Sequence, residues 1–288
     1  QLNMINYQYL YNGGGVGIGD FNNDGLPDIY FTASITPNRL YMNRGNMTFE
    51  DVTEIAGVGG ERKWSRGATI VDINNDGLLD IYVCAAAWQN AELKKDLLYI
   101  NTGVDQSINT PRFRESAASY GLIDTVSTHM AAFFDYDRDG DLDLYVASGG
   151  YANLEATSSY LQDRIFINDG RGNFTLSKNK LPNPNASHSC VTQIDLNGDK
   201  LPDLFVGARV IPGQYPQVPQ SQLLLNQGNG KFLDVSKSYP MIQSVGMVTD
   251  AEFKDLNGDK KVNMIDFAAL CAQGYILVVE GAIPTGAS

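Results

Sequence analysis

The sequence predicts an all-β protein, a β-propeller of four-stranded antiparallel blades with about five blades present. Three observations support this fold class. A nine-residue segment rich in aspartate occurs five times, short apolar runs flank its copies, and two further strand-like runs joined by an Asn/Gly turn follow most copies. Two strands around a loop, followed by a two-stranded hairpin, make one four-stranded blade.

The repeated segment is the first element of each blade. Its copies are DFNNDGLPD (20–28), DINNDGLLD (72–80), DYDRDGDLD (135–143), DLNGDKLPD (195–203) and DLNGDKKVN (255–263). Oxygen-bearing side chains stand at the first, third, fifth and ninth positions, and carboxylates this close together repel unless a cation lies among them. Ca²⁺ accepts about six to eight mixed oxygen ligands, whereas Mg²⁺ demands near-octahedral geometry and zinc prefers His or Cys. The sequence therefore predicts calcium as the cofactor, at about four to five ions.

An EF-hand has the same aspartate spacing, but the first four copies exclude it. An EF-hand needs flanking helices and a glutamate at the twelfth position, where these copies have Phe31, Val83, Val146 and Val206. The flanking runs are instead short and apolar or β-branched, as in strands. They cover 14–19, 67–71, 130–134 and 190–194 before the loops, and 29–31, 81–83, 144–146 and 204–206 after them. Each loop is therefore predicted to be a metal-bound turn between two strands.

The second element of each blade is a predicted β-hairpin. Segments 39–53, 97–116, 164–177 and 222–236 contain apolar alternation, an Asn/Gly-containing turn and a second strand with a phenylalanine. This pattern is typical of a hairpin.

Composition narrows the function classes. The chain has 288 residues, 43% of them hydrophobic, which is enough for a sizeable core. Its net charge of -12 argues against nucleic acid or anionic lipid as the main partner. No apolar run reaches the length of a membrane span.

With these motifs in place, the chain resembles the FG-GAP/VCBS-type repeats that build calcium-binding β-propellers in integrin α subunits and in many bacterial secreted or surface proteins. It is most similar to the propeller of ASPIC/UnbV-associated, cartilage-acidic-protein-like bacterial proteins. The resemblance implies repeats over residues 1–260 and a divergent tail over 261–288. Because such propellers usually have seven blades, it also implies a fragment of a larger propeller, with a complete five-bladed ring as the alternative.

The resemblance implies a ligand set in each loop, with a backbone carbonyl at the seventh position. In the first two loops these ligands are Asp20, Asn22, Asp24, Leu26 and Asp28, and Asp72, Asn74, Asp76, Leu78 and Asp80. In the next two they are Asp135, Asp137, Asp139, Asp141 and Asp143, and Asp195, Asn197, Asp199, Leu201 and Asp203. The third loop, with four carboxylate side chains at the ligand positions, is expected to bind most tightly. Lys200 and Lys260 depart from the family's glycine at the sixth position.

The fifth copy is also similar to the first half of a dockerin or related EF-hand-like repeat. Its implied ligands are Asp255, Asn257, Asp259, Lys261, Asn263 and Asp266. This interpretation predicts a short helix near 266–273. The alternative is a final strand that completes or caps a blade.

The long connections 85–96, 148–163 and 208–221 are candidates for partner binding, because long loops on a rigid scaffold commonly carry function. They contain aromatic and arginine side chains of the kind found at interface hot spots: Trp88, Tyr151, Tyr160, Arg209 and Tyr215. The alternative is that these side chains only pack their own loops.

The favoured function is a secreted or cell-surface calcium-binding module that binds a protein or carbohydrate at one loop face without catalysis. Its expected location is extracellular, periplasmic or on the cell surface. The alternatives are an enzyme acting on extracellular polysaccharide or phosphodiester, and a purely structural module of a larger chain. His129 and His188 precede the third and fourth loops at what the repeat suggests are equivalent places. This favours structural or surface roles over a Ser/His/Asp triad.

Overall fold

The computed structural model describes residues 14–34, 36–60, 63–86, 91–150, 154–179, 181–182, 186–228, 230–243, 245–254, 267–271 and 276–278. Within these residues the regular secondary structure is mainly β-strand, with two single-turn α-helices, α1 (Thr53–Ala56) and α2 (Pro240–Gln243). No helix in the described part is long and apolar enough to cross a membrane.

The strands form four four-stranded sheets in sequential order. The first contains β1 (Val16–Gly19), β2 (Asp28–Phe31), β3 (Arg39–Asn43) and β4 (Phe49–Asp51), and the second contains β5 (Ser65–Val71), β6 (Asp80–Ala85), β7 (Leu97–Asp105) and β8 (Thr110–Glu115). The third contains β9 (Thr128–Phe134), β10 (Asp143–Ser148), β11 (Arg164–Asn168) and β12 (Phe174–Leu176). The fourth contains β13 (Ser187–Ile194), β14 (Asp203–Val210), β15 (Gln222–Asn226) and β16 (Phe232–Asp234). The predicted fold class, all-β with four-stranded antiparallel blades, is confirmed.

A fifth sheet has three strands, β17 (Val248–Phe253), β18 (Phe267–Cys271) and β19 (Ile276–Val278). The helix predicted near 266–273 was wrong, because β18 occupies most of that range and pairs antiparallel with β17 from Phe253↔Phe267 onward. Backbone pairing to a neighbouring strand has overridden the helical preference of the alanines.

The pairing register fixes where each aspartate loop begins and ends. Gly19 pairs with Asp28, Val71 with Asp80 and Ile194 with Asp203. The ninth residue of each of these loops is therefore the first residue of the second strand, and the other eight form the turn. This confirms that the loops lie between adjacent antiparallel strands.

The chain divides into two compact units. The first contains the first two sheets and most of the third, and the second contains the fourth and fifth sheets, residues 134–140 and residues 147–164. Within the first unit, the two faces of the second sheet enter different cores. The face that we call the front face contains Ala68, Ile70, Ile81, Val83, Leu97, Tyr99 and Phe113. The opposite face, which we call the back face, contains Tyr82, Cys84, Leu98 and Ile100.

The sheets of the first unit pack front to back. The front face of the second sheet joins Tyr30, Leu40 and Met42 from the back of the first sheet in one hydrophobic cluster. The approach is close enough that a Cβ added to Gly17 would lie 2.6 Å from Ile70 Cδ1. Most of the apolar surface of these strands is thus buried between sheets, which is the dominant stabilising term for such a fold.

Candidate metal centre

In each of the first four loops, the first aspartate organises the turn by accepting hydrogen bonds from the loop backbone. Asp20 accepts from the N–H groups of Asp24 (3.0 Å) and Gly25 (2.7 Å). Asp72 accepts the same pair of bonds from Asp76 and Gly77, and Asp135 accepts the sixth-position bond from Gly140. Asp195 accepts the sixth-position bond from Lys200, but its second donor is Gly198 at the fourth position. The loops are therefore rigid turns whose carboxylates are held by backbone donors.

The sixth loop position has left-handed backbone geometry. Its φ is +86° at Gly25, +83° at Gly77 and +96° at Gly140. Lys200 takes the same conformation, with φ of +66°, although it has a side chain. For a residue with a Cβ this conformation is strained by about 1–2 kcal/mol.

The third loop brings three carboxylates together. One oxygen from each of Asp135, Asp137 and Asp143 lies within 4.8 Å of the others. Ca²⁺ holds its ligand oxygens at about 2.3–2.6 Å, so a central ion would reach all three. The Oδ1 atom of Asp135 is buried and has no hydrogen-bond partner among the described residues. A buried carboxylate oxygen without a donor is costly unless a cation compensates it, so the residues present fit a bound cation.

The first loop shows a similar unsatisfied atom. Asn22 is 7% exposed, and its Oδ1 is buried without a partner in the described part of the chain. Its Nδ2 donates to the Asp24 carboxylate at 2.8 Å. Asn74 and Asn197 make the same contact with Asp76 and Asp199 at 2.9 Å. The third and fifth positions of these three loops therefore lie next to each other.

The ninth-position aspartates link the loops to the hairpins. Asp28, Asp80, Asp143 and Asp203 are 0–1% exposed. Asp28 accepts from the N–H of Phe21 in its own loop (3.0 Å) and from the N–H of Asn43 at the end of β3 (2.8 Å). Asp80 and Asp203 make the equivalent pairs of bonds with Ile73 and Asn101, and with Leu196 and Asn226. Each carboxylate oxygen has a second lone pair, so these bonds leave room for metal coordination.

Sequence reasoning missed the asparagines at the ends of the third strands. Asn226 donates from Nδ2 to the carbonyls of Pro202 in its own loop and Tyr136 in the third loop, and its Oδ1 accepts from Gly228. Asn43, Asn101 and Asn168 make the equivalent bonds to the eighth loop residue and to the following glycine. The recurring N-x-G sequence marks these asparagines, although on its own it indicates only a turn.

The pKa values of the ninth-position carboxyls are raised mainly by burial, with a smaller contribution from the other loop aspartates. Burial raises the pKa of Asp28 to about 6 against its backbone donors, and Asp24 and Asp20 add to the rise. Burial likewise raises the pKa of Asp80 to about 6 and that of Asp203 in the same direction. The pKa of Asp137 rises through burial and the neighbouring Asp139 charge. A nearby cation would favour the charged forms.

The other predicted site residues lie at the seventh loop position, in the fifth copy of the repeat and in the long connections. Leu26, Leu78 and Leu201 each donate their N–H to the fifth-position aspartate of their loop. The fifth-copy ligands Asp255, Asn257, Asp259, Lys261, Asn263 and Asp266 lie outside the described residues, as do Trp88 and Tyr151. Tyr160 and Tyr215 are 56% and 59% exposed in the connections after β10 and β14, and Arg209 is half-buried in β14.

Replacing Asn226 by alanine is expected to reduce the free energy of unfolding by roughly 2–3 kcal/mol. The substitution removes three hydrogen bonds, each worth about 1 kcal/mol net, and leaves backbone groups unsatisfied. Urea unfolding in saturating calcium would measure the change. The neighbouring exposed Gln227→Ala is the control, expected to change stability by less than about 0.5 kcal/mol. Equal effects of the two variants would contradict the structural role of Asn226.

Comparison with known proteins agrees with this geometry. A family model described as an FG-GAP-like repeat matches residues 20–83 and 135–206. Each matched stretch begins at the first residue of one aspartate loop and contains the whole of the next. The chain carries FG-GAP-like repeats. The resemblance to FG-GAP-type repeats is thereby confirmed.

The FG-GAP-like chain is also similar to cartilage acidic protein 1. It is 30% identical to the Homo sapiens protein over 148 residues and 28% identical to the Xenopus tropicalis protein over 152 residues. These alignments cover 51% and 52% of this chain, but only 21% and 22% of the two relatives. The chain thus matches about a fifth of each relative's length.

Proposed function

We propose that this FG-GAP-like chain is a calcium-binding β-propeller module that binds a protein or carbohydrate partner, with calcium in a structural role. The observation that carries the proposal is the recurrence of one arrangement in four loops. In each, the first aspartate organises the turn and the buried ninth aspartate links it to the hairpin. The Oδ1 atoms of Asp135 and Asn22, which are buried without a hydrogen-bond partner among the described residues, support a cation in the third and first loops.

Calcium suits these loops better than other common metals. The donors are carboxylate, amide and backbone oxygens, which calcium accepts in irregular geometry, whereas zinc would require His or Cys. The residues that would hold the ion are the first, third, fifth, seventh and ninth of each loop. All five belong to one nine-residue segment whose last residue begins the second strand, so a bound ion would stabilise the sheet.

Partner binding is proposed at the connections between the second and third strands. Tyr160 and Tyr215 are exposed aromatic side chains in two of these connections. Aromatic side chains combine large contact area with few rotatable bonds, which favours binding. Calcium loops with dissociation constants as weak as about 10⁻⁴–10⁻³ M occur in extracellular modules. On this ground we also propose an extracellular, periplasmic or cell-surface location for the module, which acts without catalysis.

Calorimetry tests the calcium part of the proposal. The chain would be treated with a chelator, exchanged into metal-free buffer and titrated with Ca²⁺, with Mg²⁺ as the parallel titrant. We expect four to five sites for Ca²⁺ and much weaker binding of Mg²⁺. Absence of Ca²⁺ binding would refute the proposal.

A carbohydrate microarray and a panel of purified extracellular-matrix proteins, both probed in calcium, test the partner-binding part. Tyr215→Ala is expected to reduce any binding without changing the melting temperature. Leu233→Ala, which truncates a 51%-exposed side chain on β16, is the control. Equal binding by both variants and the unmodified chain would contradict the proposed contact at Tyr215.

Lys200→Gly is expected to raise the calcium affinity of the fourth loop about fivefold, which corresponds to about 1 kcal/mol. Glycine adopts the left-handed conformation at this position without strain. Calorimetric titration of the variant would measure the change. Lys200→Gln is the matched control because it removes the charge but retains the Cβ. An equal gain in both variants would assign the effect to charge rather than to backbone conformation.

A further inference from the structure

The front face of the first sheet is exposed at positions that are buried in the next sheet. On the second sheet Ala68, Ile81, Val83 and Tyr99 are only 0–7% exposed, because the first sheet covers them. The strand pairing places the equivalent residues of the first sheet at Val16, Ile18, Ile29, Phe31, Tyr41 and Phe49. Here Val16 is 53% exposed, Ile18 64% and Phe31 40%.

The exposed front face is a continuous apolar surface. Ile29, Phe31, Tyr41 and Phe49 line a groove of about 430 Å³, together with Arg39. The rings of Phe31 and Tyr41 meet edge to face at 6.0 Å. Exposed apolar patches of this kind on a soluble protein commonly mark a surface that another element covers.

The third sheet repeats the same pattern. Ala131, Leu144, Val146, Phe166 and Phe174 are the equivalents of Ala68, Ile81, Val83, Tyr99 and Phe113. They share one hydrophobic cluster with the back face of the second sheet. In both described interfaces of the first unit, a front face is therefore covered by the back face of the preceding sheet.

We propose that the front face of the first sheet is the docking surface for one additional sheet of the same FG-GAP type, beyond the five of this chain. The occupant presents its back face, as the first sheet does to the second. The argument is continuity with the described interfaces, since the exposed face has apolar residues at the same six positions.

The first sheet also defines the chemistry of this occupant. Val16 and Phe31 are larger than their equivalents Ala68 and Val83, so the back face that covers them needs smaller side chains opposite these two positions. Arg39 occupies the position of Leu97, and it pairs with Asp51 at 3.0 Å at the edge of the groove. Arg164 stands at the same position in the third sheet, whose other front residues lie in a buried cluster. An arginine there is thus compatible with a covered face.

A tandem variant tests the docking surface. Residues 1–13 would be replaced by a second copy of residues 14–65, so that the added back face precedes the exposed front face with the natural connection. Val16→Ala and Phe31→Val in the recipient sheet make its six apolar positions match those of the second sheet in residue type. Ile18→Cys is the reporter, and Ile123→Cys, at a 53%-exposed position, is the control reporter. Alkylation in calcium is followed by peptide mass spectrometry.

We expect the added sheet to slow alkylation of Cys at position 18 at least about tenfold and to leave the control unchanged, because a covered cysteine reacts only after local opening. Ile18→Lys supplies a second readout, since it is expected to lower the melting temperature of the tandem protein but not of the original chain.

Three results would overturn the proposal. The first is unchanged alkylation in the tandem protein, or proteolytic loss of the added copy with the remainder intact. The second is protection of position 18 in the original chain that grows with protein concentration, which would identify a second copy as the occupant. The third is concentration-independent protection in the original chain, which would show that its own residues already cover the face.

Discussion

Chelation of divalent cations is expected to lower the thermal unfolding midpoint of this chain by roughly 20 °C or more. A ligand that binds only the folded state at 100 times its dissociation constant contributes about 2.7 kcal/mol, so four such sites contribute about 11 kcal/mol. That is comparable to the whole stability of a typical folded domain, about 5–15 kcal/mol. The physical cause is repulsion within the loops, where buried carboxylates such as Asp28 and Asp80 have no cation beside them.

Differential scanning calorimetry of the chain in chelator, in millimolar Ca²⁺ and in millimolar Mg²⁺ would measure this effect. Recovery is expected with Ca²⁺ and only in small part with Mg²⁺. Asp135→Asn should reduce the gain by about one site's share, because it weakens the loop with the closest carboxylate cluster. If chelator leaves the midpoint unchanged, the loops are stable without metal, and the structural role proposed for calcium is wrong.

The loops and their strands were predictable from sequence because their chemistry is local. An aspartate at the first position and a residue with left-handed φ at the sixth close the turn within a few residues, as the bonds from Asp24 and Gly25 to Asp20 show. The apolar residues on either side alternate with period two, which fixes strand faces. Local sequence features were therefore sufficient to predict the repeat, the limits of the loops and the four-stranded sheets.

Features that depend on contacts between distant residues were not predictable in the same way. Asn226 is 23 residues from the aspartate that it supports and 90 from Tyr136, to whose carbonyl it donates. The expected equivalence of His129 and His188 was also wrong. His188 pairs across the sheet with Ala208, as Ser65 does with Ala85, and both lie seven residues before their loops, whereas His129 lies six residues before its loop.

The same misalignment hid the actual partner of His188. Its Nδ1 lies 2.5 Å from the Asp163 carboxylate, and the two side chains are 0% and 3% exposed. Thr128 holds the corresponding place in the third sheet and donates its hydroxyl to Asp96. A histidine buried this completely is inaccessible to substrate, so a structural role fits better than a catalytic triad.

Asp96 belongs to a set of polar residues that cap the second strands. Its Oδ1 accepts from the Ala85 N–H at 2.7 Å, and its Oδ2 accepts from the Tyr82 hydroxyl at 2.7 Å. In the first sheet Asn38 performs the same task, with its Oδ1 accepting from Ala33 and its Nδ2 donating to the Tyr30 hydroxyl. The chain thus uses both a carboxyl and an amide at equivalent buried positions.

Asp96→Asn is expected to remove a pH dependence that the carboxyl imposes. Burial raises the pKa of Asp96 to about 7, although Thr128, Tyr82 and Ala85 donate to it, and the nearby Asp124 charge adds to the rise. Between about pH 4 and 7 the folded state keeps the proton that the unfolded state has released, so the free energy of unfolding falls as pH rises and levels off above pH 7. A shift of this size corresponds to about 4 kcal/mol.

The measurement is the difference in free energy of unfolding between Asp96→Asn and the unmodified chain, from urea titrations in saturating calcium at pH 4.5 and pH 8. Titration of the loop carboxylates cancels in this difference, which is expected to favour the variant by roughly 3 kcal/mol more at pH 8 than at pH 4.5. Asn38→Asp is the reciprocal control, because it places a carboxyl at the 1%-exposed equivalent position and should introduce a slope of the same sign. A pH-independent difference for both variants would mean that Asp96 is ionised in the folded chain throughout this range, with its three donors outweighing the cost of burial.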